Sequence, residues 1–331
     1  MEEKILEVNN LSTTFKTERG LMKAVDGVSF YVKKGEILGV VGESGCGKSV
    51  TSQSIMRLYD EKYMASYSGE VILDGKNIFD LSEKDMKNVR GGTISMVFQD
   101  ALSSLNPVFT VGKQIMEPLI KHQGIDKKAA REKAIQMLRL VGIPAPESRV
   151  DQYPHELSGG MRQRVMIAIA LSCQPKMLIA DEPTTALDVT IQAQIMDLIV
   201  SLNQQLNMGV MLITHDLAVV AETCSRVIVM YLGQVVEEAD VNDIFDDPTH
   251  PYTNGLMKSI PKIDGNRQER LYMIKGMVPL LSQIPNGCRF APRCPYATEK
   301  CTQEMPELLP INDKGHKVRC FRAIEKTGMG E

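Results

Sequence analysis

Eight consecutive residues constrain this 331-residue chain more than any others. GESGCGKS, Gly42–Ser49, stands between the apolar run EILGVV and the helix-competent SVTSQSIMRLY, so it fits G-x-x-x-x-G-K-[ST] in the strand–loop–helix setting that gives the pattern its meaning. Gly42, Gly45 and Gly47 let successive backbone N–H groups turn inward around phosphates, and Ser44, Cys46 and Val50 complete the stretch of backbone and helix start that faces them. Lys48 is placed to reach the β and γ phosphates, and Ser49 supplies an oxygen for Mg²⁺.

Around this loop, short apolar segments ending in polar or glycine-rich turns alternate with helical stretches: EILGVVG, TISMVFQD, KMLIADEP, GVMLITHD and SRVIVMYLG. The alternation predicts an α/β fold with a mostly parallel sheet and its chemistry at the carboxyl ends of the strands. ILEVNNLSTTF and VDGVSFYVKKGE predict antiparallel strands ahead of it. QIMEPLIKH and KKAAREKAIQMLRLVGI predict amphipathic helices between Asn106 and Ser158. No apolar run approaches the ~18 residues of a membrane span, and the acidic start MEEKILEVNNLS lacks the apolar core of a signal peptide. A formal net charge of -3 with no basic block argues against nucleic-acid binding. A soluble chain is the expectation.

KMLIADEP delivers Asp181 to the end of a buried strand, where a carboxylate can hold Mg²⁺ through water. Glu182 follows at once with its side chain pointing differently, placed to polarise the water that attacks a γ-phosphate. In LSGGMRQR, Ser158, Gly159 and Gly160 immediately precede the apolar helical run VMIAIALSC, so a hydroxyl and exposed N–H groups stand at a helix start suited to an anion. A chain that already has a phosphate loop has use for a second such site if that site meets the nucleotide held by a partner subunit.

With Gln99 closing TISMVFQD, the turn Ala186–Asp188 and His215 in LITHD, five further motifs join the loop in one order. Over residues 1–250 the chain resembles the ATP-binding subunit of an ABC transporter. The resemblance implies a P-loop ABC ATPase: a RecA-like, mostly parallel sheet, an antiparallel β subdomain, and an α-helical signature subdomain at about 100–172. It implies two subunits that sandwich two ATP molecules. Gln99 then senses γ-phosphate and Mg²⁺ and contacts the membrane subunit, His215 holds the γ-phosphate and the attacking water, and Asp188 communicates across the dimer. Phe15 matches the position where such proteins stack an aromatic on adenine. Cys46 reads as a spacer whose thiol lies beside phosphate, so a thiol-alkylating reagent is expected to inhibit ATPase activity and ATP to protect.

YPHELSGGMRQRVMIAIALSCQPKMLIADEPTTALDVTIQAQI is similar to the oligopeptide and dipeptide importer branch, and Met161 with VMIAIA points to the D-type member of that branch's two paralogous ATPases. The resemblance implies a heterodimer with the paralogue, two transmembrane permease subunits, an extracytoplasmic peptide-binding protein met only indirectly, and a place on the cytoplasmic face of the membrane. Nickel and other small solutes stay open as cargo. The rival classes are a soluble ABC-type ATPase and an iron–sulfur or redox protein without membrane partners.

Composition shifts after Asp240, which sets a boundary near Thr249–Gly255 between a nucleotide-binding domain, 1–250, and an extension, 251–331, too small to fold on an apolar core of its own. The extension carries Cys288, Cys294, Cys301 and Cys320, separated by five, six and eighteen residues. A disulfide framework does not suit a cytosolic chain. Structural zinc sites use shorter C-x₂₋₄-C spacings, whereas four thiolates on an irregular loop suit an iron–sulfur cluster. The residues alone leave [4Fe-4S], Zn²⁺ and unliganded thiols open; resemblance to the importer branch favours [4Fe-4S], serving chiefly to fold the segment. Cys173 and Cys224 read as small core residues.

Overall fold

The computed structural model describes residues 3–18, 20–100, 104–185, 187–260 and 272–327, and their contacts divide the chain into two compact units. One takes in the chain up to Leu6, Tyr31–Ile37 and Ile72–Ile213; the other takes in Glu7–Phe30, Leu38–Val71 and Thr214 onward. The strands are β1 (Lys4–Thr17), β2 (Gly20–Lys33), β3 (Ile37–Val41), β4 (Ala65–Leu73), β5 (Lys76–Asn77), β6 (Ile94–Val97), β7 (Met177–Asp181), β8 (Gly209–Ile213), β9 (Arg226–Tyr231), β10 (Gln234–Asp240), β11 (Leu309–Pro310) and β12 (Lys317–Val318). The helices are α1 (Lys48–Ile55), α2 (Glu83–Val89), α3 (Val111–Gln123), α4 (Lys127–Leu140), α5 (Pro146–Arg149), α6 (Gly159–Leu171), α7 (Val189–Leu206), α8 (Leu217–Thr223), α9 (Val241–Asp246), α10 (Pro251–Lys258), α11 (Glu299–Gln303) and α12 (Phe321–Thr327).

The first unit is built on β6, β7 and β8, which pair in parallel with Val97 opposite Ala180 and Asp181 opposite Ile213. Every residue of these three strands is buried. Runs such as GVMLI carry no polar alternation because both faces of a parallel sheet are covered. The amphipathic helices expected from the sequence are α3 and α4, which pack with α6. Ile115 and Leu119 of α3 and Ala130, Ala134 and Leu138 of α4 recur at helical spacing and are all buried. Each of the three helices starts on a side-chain cap: Thr110 accepts from Lys113 N–H, Asp126 from Lys128 and Ala129, and Ser158 from Met161.

In the second unit β2, β1 and β4 lie side by side. β3 pairs in parallel with β9, Gly39 opposite Val227 and Val41 opposite Val229. β9 turns through Leu232 and Gly233, both at positive φ, into antiparallel β10. β12 then adds to β10, with Glu237 opposite Val318, and β11 adds to β12. The C-terminal segment therefore joins an existing sheet. One apolar cluster in it is Val318, Ala323 and Ile324 with partly buried Leu309, Ile311 and Cys320. Cys224 is buried against Gly39, where an added Cβ would stand 3.0 Å from its sulfur; it is a core residue.

Candidate functional site

β3 runs directly into Gly42, and the loop that follows closes on Gly47, the left-handed residue (φ 94°) ahead of α1. A Cβ there would meet the Ala24 carbonyl oxygen at 3.0 Å and Gly233 Cα at 3.1 Å, so both backbone angle and space require glycine. The Lys48 ammonium donates to the carbonyls of Gly42 (2.7 Å) and Glu43 (3.0 Å). Ser44 and Gly45 are exposed, while Ser49 and Val50 are half-buried at the first turn of α1, where the helix dipole favours an anion.

Cys46 does not follow expectation. Its side chain is fully buried, with Sγ 3.9 Å from the Tyr252 hydroxyl, and burial pushes its thiol pKa up. The thiol points behind the loop, into the protein, and is shielded from an alkylating reagent. The loop motif specifies the backbone at this position; what lies behind it is set by α10, more than two hundred residues on.

The turn carrying His215 is tied to β3 by the Thr214 N–H, which donates to the Val40 carbonyl at 3.3 Å. Asp216, beside it, accepts from the N–H groups of Ala218 and Val219 and caps α8, leaving His215 exposed on a short, fixed turn. Phe15, on β1, is half-buried and meets the Tyr59 ring edge-on, with centroids 4.8 Å apart. Tyr59 is a second aromatic at this place that sequence reasoning passed over.

In the first unit the structure brings together residues that lie more than eighty positions apart. Asp181 ends β7 and is buried. Glu182 follows with left-handed backbone (φ 46°) and its N–H on the Ile213 carbonyl at 2.8 Å. Its carboxylate accepts from Gln99 Nε2 and from Thr185 Oγ1, each at 2.9 Å. The change of backbone region explains how two adjacent carboxylates are aimed apart, one into the strand end and one towards Gln99.

Ser158 and Gly159 are exposed at the start of α6, with the Ser158 hydroxyl accepting from Met161 N–H at 3.4 Å. A Cβ on Gly160 would stand 2.8 Å from Ile191 Cγ2, so glycine lets α6 approach α7. Asp188 caps α7 by accepting from Ile191 N–H at 3.0 Å, a structural role that sequence reasoning passed over. Ala186 lies outside the described residues.

Cys288, Cys294, Cys301 and Cys320 line one cavity together with Tyr296 and Arg322. The Cys288 N–H donates to the Cys301 carbonyl at 2.8 Å, pinning the ends of the Cys288–Cys301 loop together. Burial, with Cys301 and Cys320 close by, pushes the Cys288 thiol up to about 11, and burial also raises Cys294 and Cys320. Among the described residues no three His, Cys, Asp or Glu side chains converge closely enough to hold a single metal ion.

Solved structures define the class to which this fold and loop belong. A dimeric ATP-binding cassette in a post-hydrolysis state bound to ADP and phosphate is 31% identical, with a TM-score of 0.64 over 71% of this chain and 98% of its own. CbiO1 from Clostridium perfringens, part of an ABC transporter complex, is 30% identical with a TM-score of 0.63, covering 74% and 92%. The ABC transporter family matches residues 25–185, and the C-terminal region of oligopeptide/dipeptide transporters matches 236–301. The oligopeptide transport ATP-binding protein AppD of Bacillus subtilis is 54% identical over 96% of both chains. The dipeptide transport ATP-binding protein DppD of Escherichia coli is 50% identical over 98% of both. The chain belongs to the ATP-binding subunits of ABC transporters and is an ATPase of that family.

Proposed function

We propose that this chain hydrolyses ATP to power peptide import through a membrane transporter. Likeness over nearly the whole chain to proteins named for oligopeptide and dipeptide transport supports peptide as cargo over nickel or another small solute. For the hydrolytic step the observation that carries the reading is the Gln99–Glu182 hydrogen bond beside Asp181. Gly42–Val50 hold the phosphates, with Lys48 on the β and γ groups, and Phe15 stacks on adenine. Ser49, Gln99 and Asp181 supply hard oxygen donors of the kind Mg²⁺ prefers. Glu182 takes a proton from the attacking water as that water adds to the γ-phosphorus and the bond to the ADP oxygen breaks; His215 orients the γ-phosphate.

The exposed start of α6, with Ser158, Gly159 and Gly160, meets the nucleotide of a second subunit, and Asp188 stands at the same face. The reading takes that subunit to be a paralogous ATPase, with two membrane-spanning permeases as further partners and a peptide-binding protein outside. No helix among the described residues is long and apolar enough to cross a membrane. The chain acts at the cytoplasmic face through the permeases.

The reading takes the four thiols as ligands of an iron–sulfur cluster because all four line one cavity and four cysteines are the ligand set such a cluster uses. Cys288, Cys294, Cys301 and Cys320 would hold such a [4Fe-4S] group, whose metal–thiolate bonds would tie the Cys288–Cys301 loop to Cys320. Iron and sulfide analysis of anaerobically purified protein tests this; an iron-free chain holding one zinc overturns it.

The function is tested with Glu182→Gln in the assembled transporter. ATP is expected to accumulate a closed, non-hydrolysing pair of ATPase subunits and dipeptide uptake to stop. A variant that hydrolyses ATP and imports dipeptide at the wild-type rate removes Glu182 from the chemistry.

A further inference from the structure

We infer that Arg293 and Tyr252, both from the C-terminal region, are positioning residues of the phosphate loop and act through Glu43. The inference rests on the reading of Gly42–Ser49 as the ATP phosphate site. Glu43 occupies a place the loop motif leaves free, and a carboxylate there is unwelcome beside a polyanion. The structure neutralises it. Arg293 grips the Glu43 carboxylate with two parallel hydrogen bonds, Nη1 to Oε2 at 2.6 Å and Nη2 to Oε1 at 3.0 Å, the fork geometry in which guanidinium binds most strongly.

The main chain of Glu43 is held as firmly. Its N–H donates to the Tyr252 hydroxyl at 2.7 Å, which keeps that N–H turned to the rear of the loop. Its carbonyl accepts from Cys46 N–H at 3.3 Å and from the Lys48 ammonium at 3.0 Å. The residue that orients Lys48 is thus fixed at amide, carbonyl and carboxylate by other groups.

Neither Arg293 nor Tyr252 is free to drift. Arg293 is buried, donates from Nε to the Lys275 carbonyl at 3.0 Å, and lies 5.7 Å and 5.9 Å from the ring centroids of Tyr231 and Phe290. Tyr252 is fully buried, with its ring 4.8 Å from Tyr231 and 5.4 Å from Phe290. Arg289, one turn before Arg293, donates to the Leu232 carbonyl and to Asp26, and the next residue, Gly233, donates its N–H to the Cys46 carbonyl at 2.8 Å. The segment between Cys288 and Cys294 therefore braces the phosphate loop at two places.

The test uses the full chain with Mg²⁺ and a fluorescent ATP analogue, with steady-state ATPase kinetics alongside. Arg293→Met keeps the apolar stem and strands the Glu43 carboxylate, so nucleotide affinity is expected to fall about tenfold or more. Adding Glu43→Gln to that variant removes the unpaired charge and is expected to restore most of the affinity. A bracing role without electrostatic positioning predicts two additive losses and no rescue. Tyr252→Phe keeps the ring but removes the hydroxyl that accepts from Glu43 N–H and touches Cys46 Sγ, and is expected to raise KM several-fold with kcat nearly unchanged; it carries the test if Arg293→Met does not fold. Wild-type affinity in Arg293→Met, absence of rescue in the double variant, or an unchanged KM in Tyr252→Phe overturns the inference. Lys48→Ala separates the two readings: undiminished nucleotide binding in that variant refutes the phosphate-loop assignment itself.

Discussion

Replacing Glu237 with glutamine is expected to loosen the C-terminal region by about 3 kcal/mol. Glu237 has no exposed surface, yet it sits on β10 as a carboxylate receiving three partners: the N–H groups of Thr249 (2.7 Å) and His250 (3.0 Å), and Nε2 of His316 (2.7 Å). One side chain thus joins β10, the entrance to α10 and the ribbon that leads into β12. A carboxamide has a single oxygen, so its NH₂ must face at least one of these donors. Hydrogen bonds to a charged group are worth roughly 1.5–3 kcal/mol each, and a stranded buried donor costs roughly 1–3 kcal/mol; one lost bond and one stranded donor set the magnitude. For a body of this size that corresponds to a fall in melting temperature of about 6–12 °C. Because the chain has two units, a single transition is not assured, so hydrogen exchange at the Thr249 and His250 amides is the sharper assay. Their protection is expected to drop by about a hundredfold, the factor equivalent to 3 kcal/mol. A melting temperature within a degree of wild type, with both amides as protected as before, refutes the reasoning.

Burial lowers the His250 pKa from 6.5 to about 4, against the pull of Glu237. The unfolded chain therefore binds the proton first as pH falls, and roughly 3 kcal/mol of stability present above pH 6.5 is lost between there and pH 4. His250→Asn, which retains a cap for Tyr252 N–H, is expected to flatten the pH dependence of unfolding, and an unaltered profile counts against the burial argument. Asp188→Ala removes the cap on α7 and is expected to cost about 1 kcal/mol in thermal unfolding, whereas Asp188→Asn keeps it; equal stability of the two variants excludes the cap as a contributor. N-ethylmaleimide is expected to reach Cys46 only as fast as the chain opens, with no protection specific to ATP at the loop, and rapid stoichiometric labelling of the folded protein contradicts the buried thiol.

Much of the architecture was legible because it rests on local pattern. Uninterrupted runs such as GVMLI announce strands covered on both faces, and Ile115, Leu119, Ala130 and Ala134 announce helices with one buried stripe. Candidate phosphate-site residues could be named from the sequence because phosphate chemistry demands particular residue types at particular spacings. What escaped is non-local. Glu43 and Arg293 are two ordinary charged residues 250 positions apart, and no periodicity links them. The buried side of Cys46 depends on Tyr252, in a segment that reads as an appendage. The left-handed backbone of Glu182 is invisible in a string of letters, since nothing in DEP demands it.

These omissions share a cause, and it bears on how the extension should be understood. A nucleotide loop must present N–H groups and one ammonium in a fixed array before phosphate arrives, or part of the binding energy is spent on ordering it. Glycines make the array possible, but their freedom also makes it soft. A brace behind the loop answers that softness, and here it comes from residues whose own order depends on β12 pairing with β10, on the Glu237 junction and on the turn between Cys288 and Cys294. Deleting the chain from Tyr272 onward is therefore expected to weaken nucleotide binding as well as shorten the protein, because it removes Arg289 and Arg293 from the rear of the loop while leaving every motif residue in place.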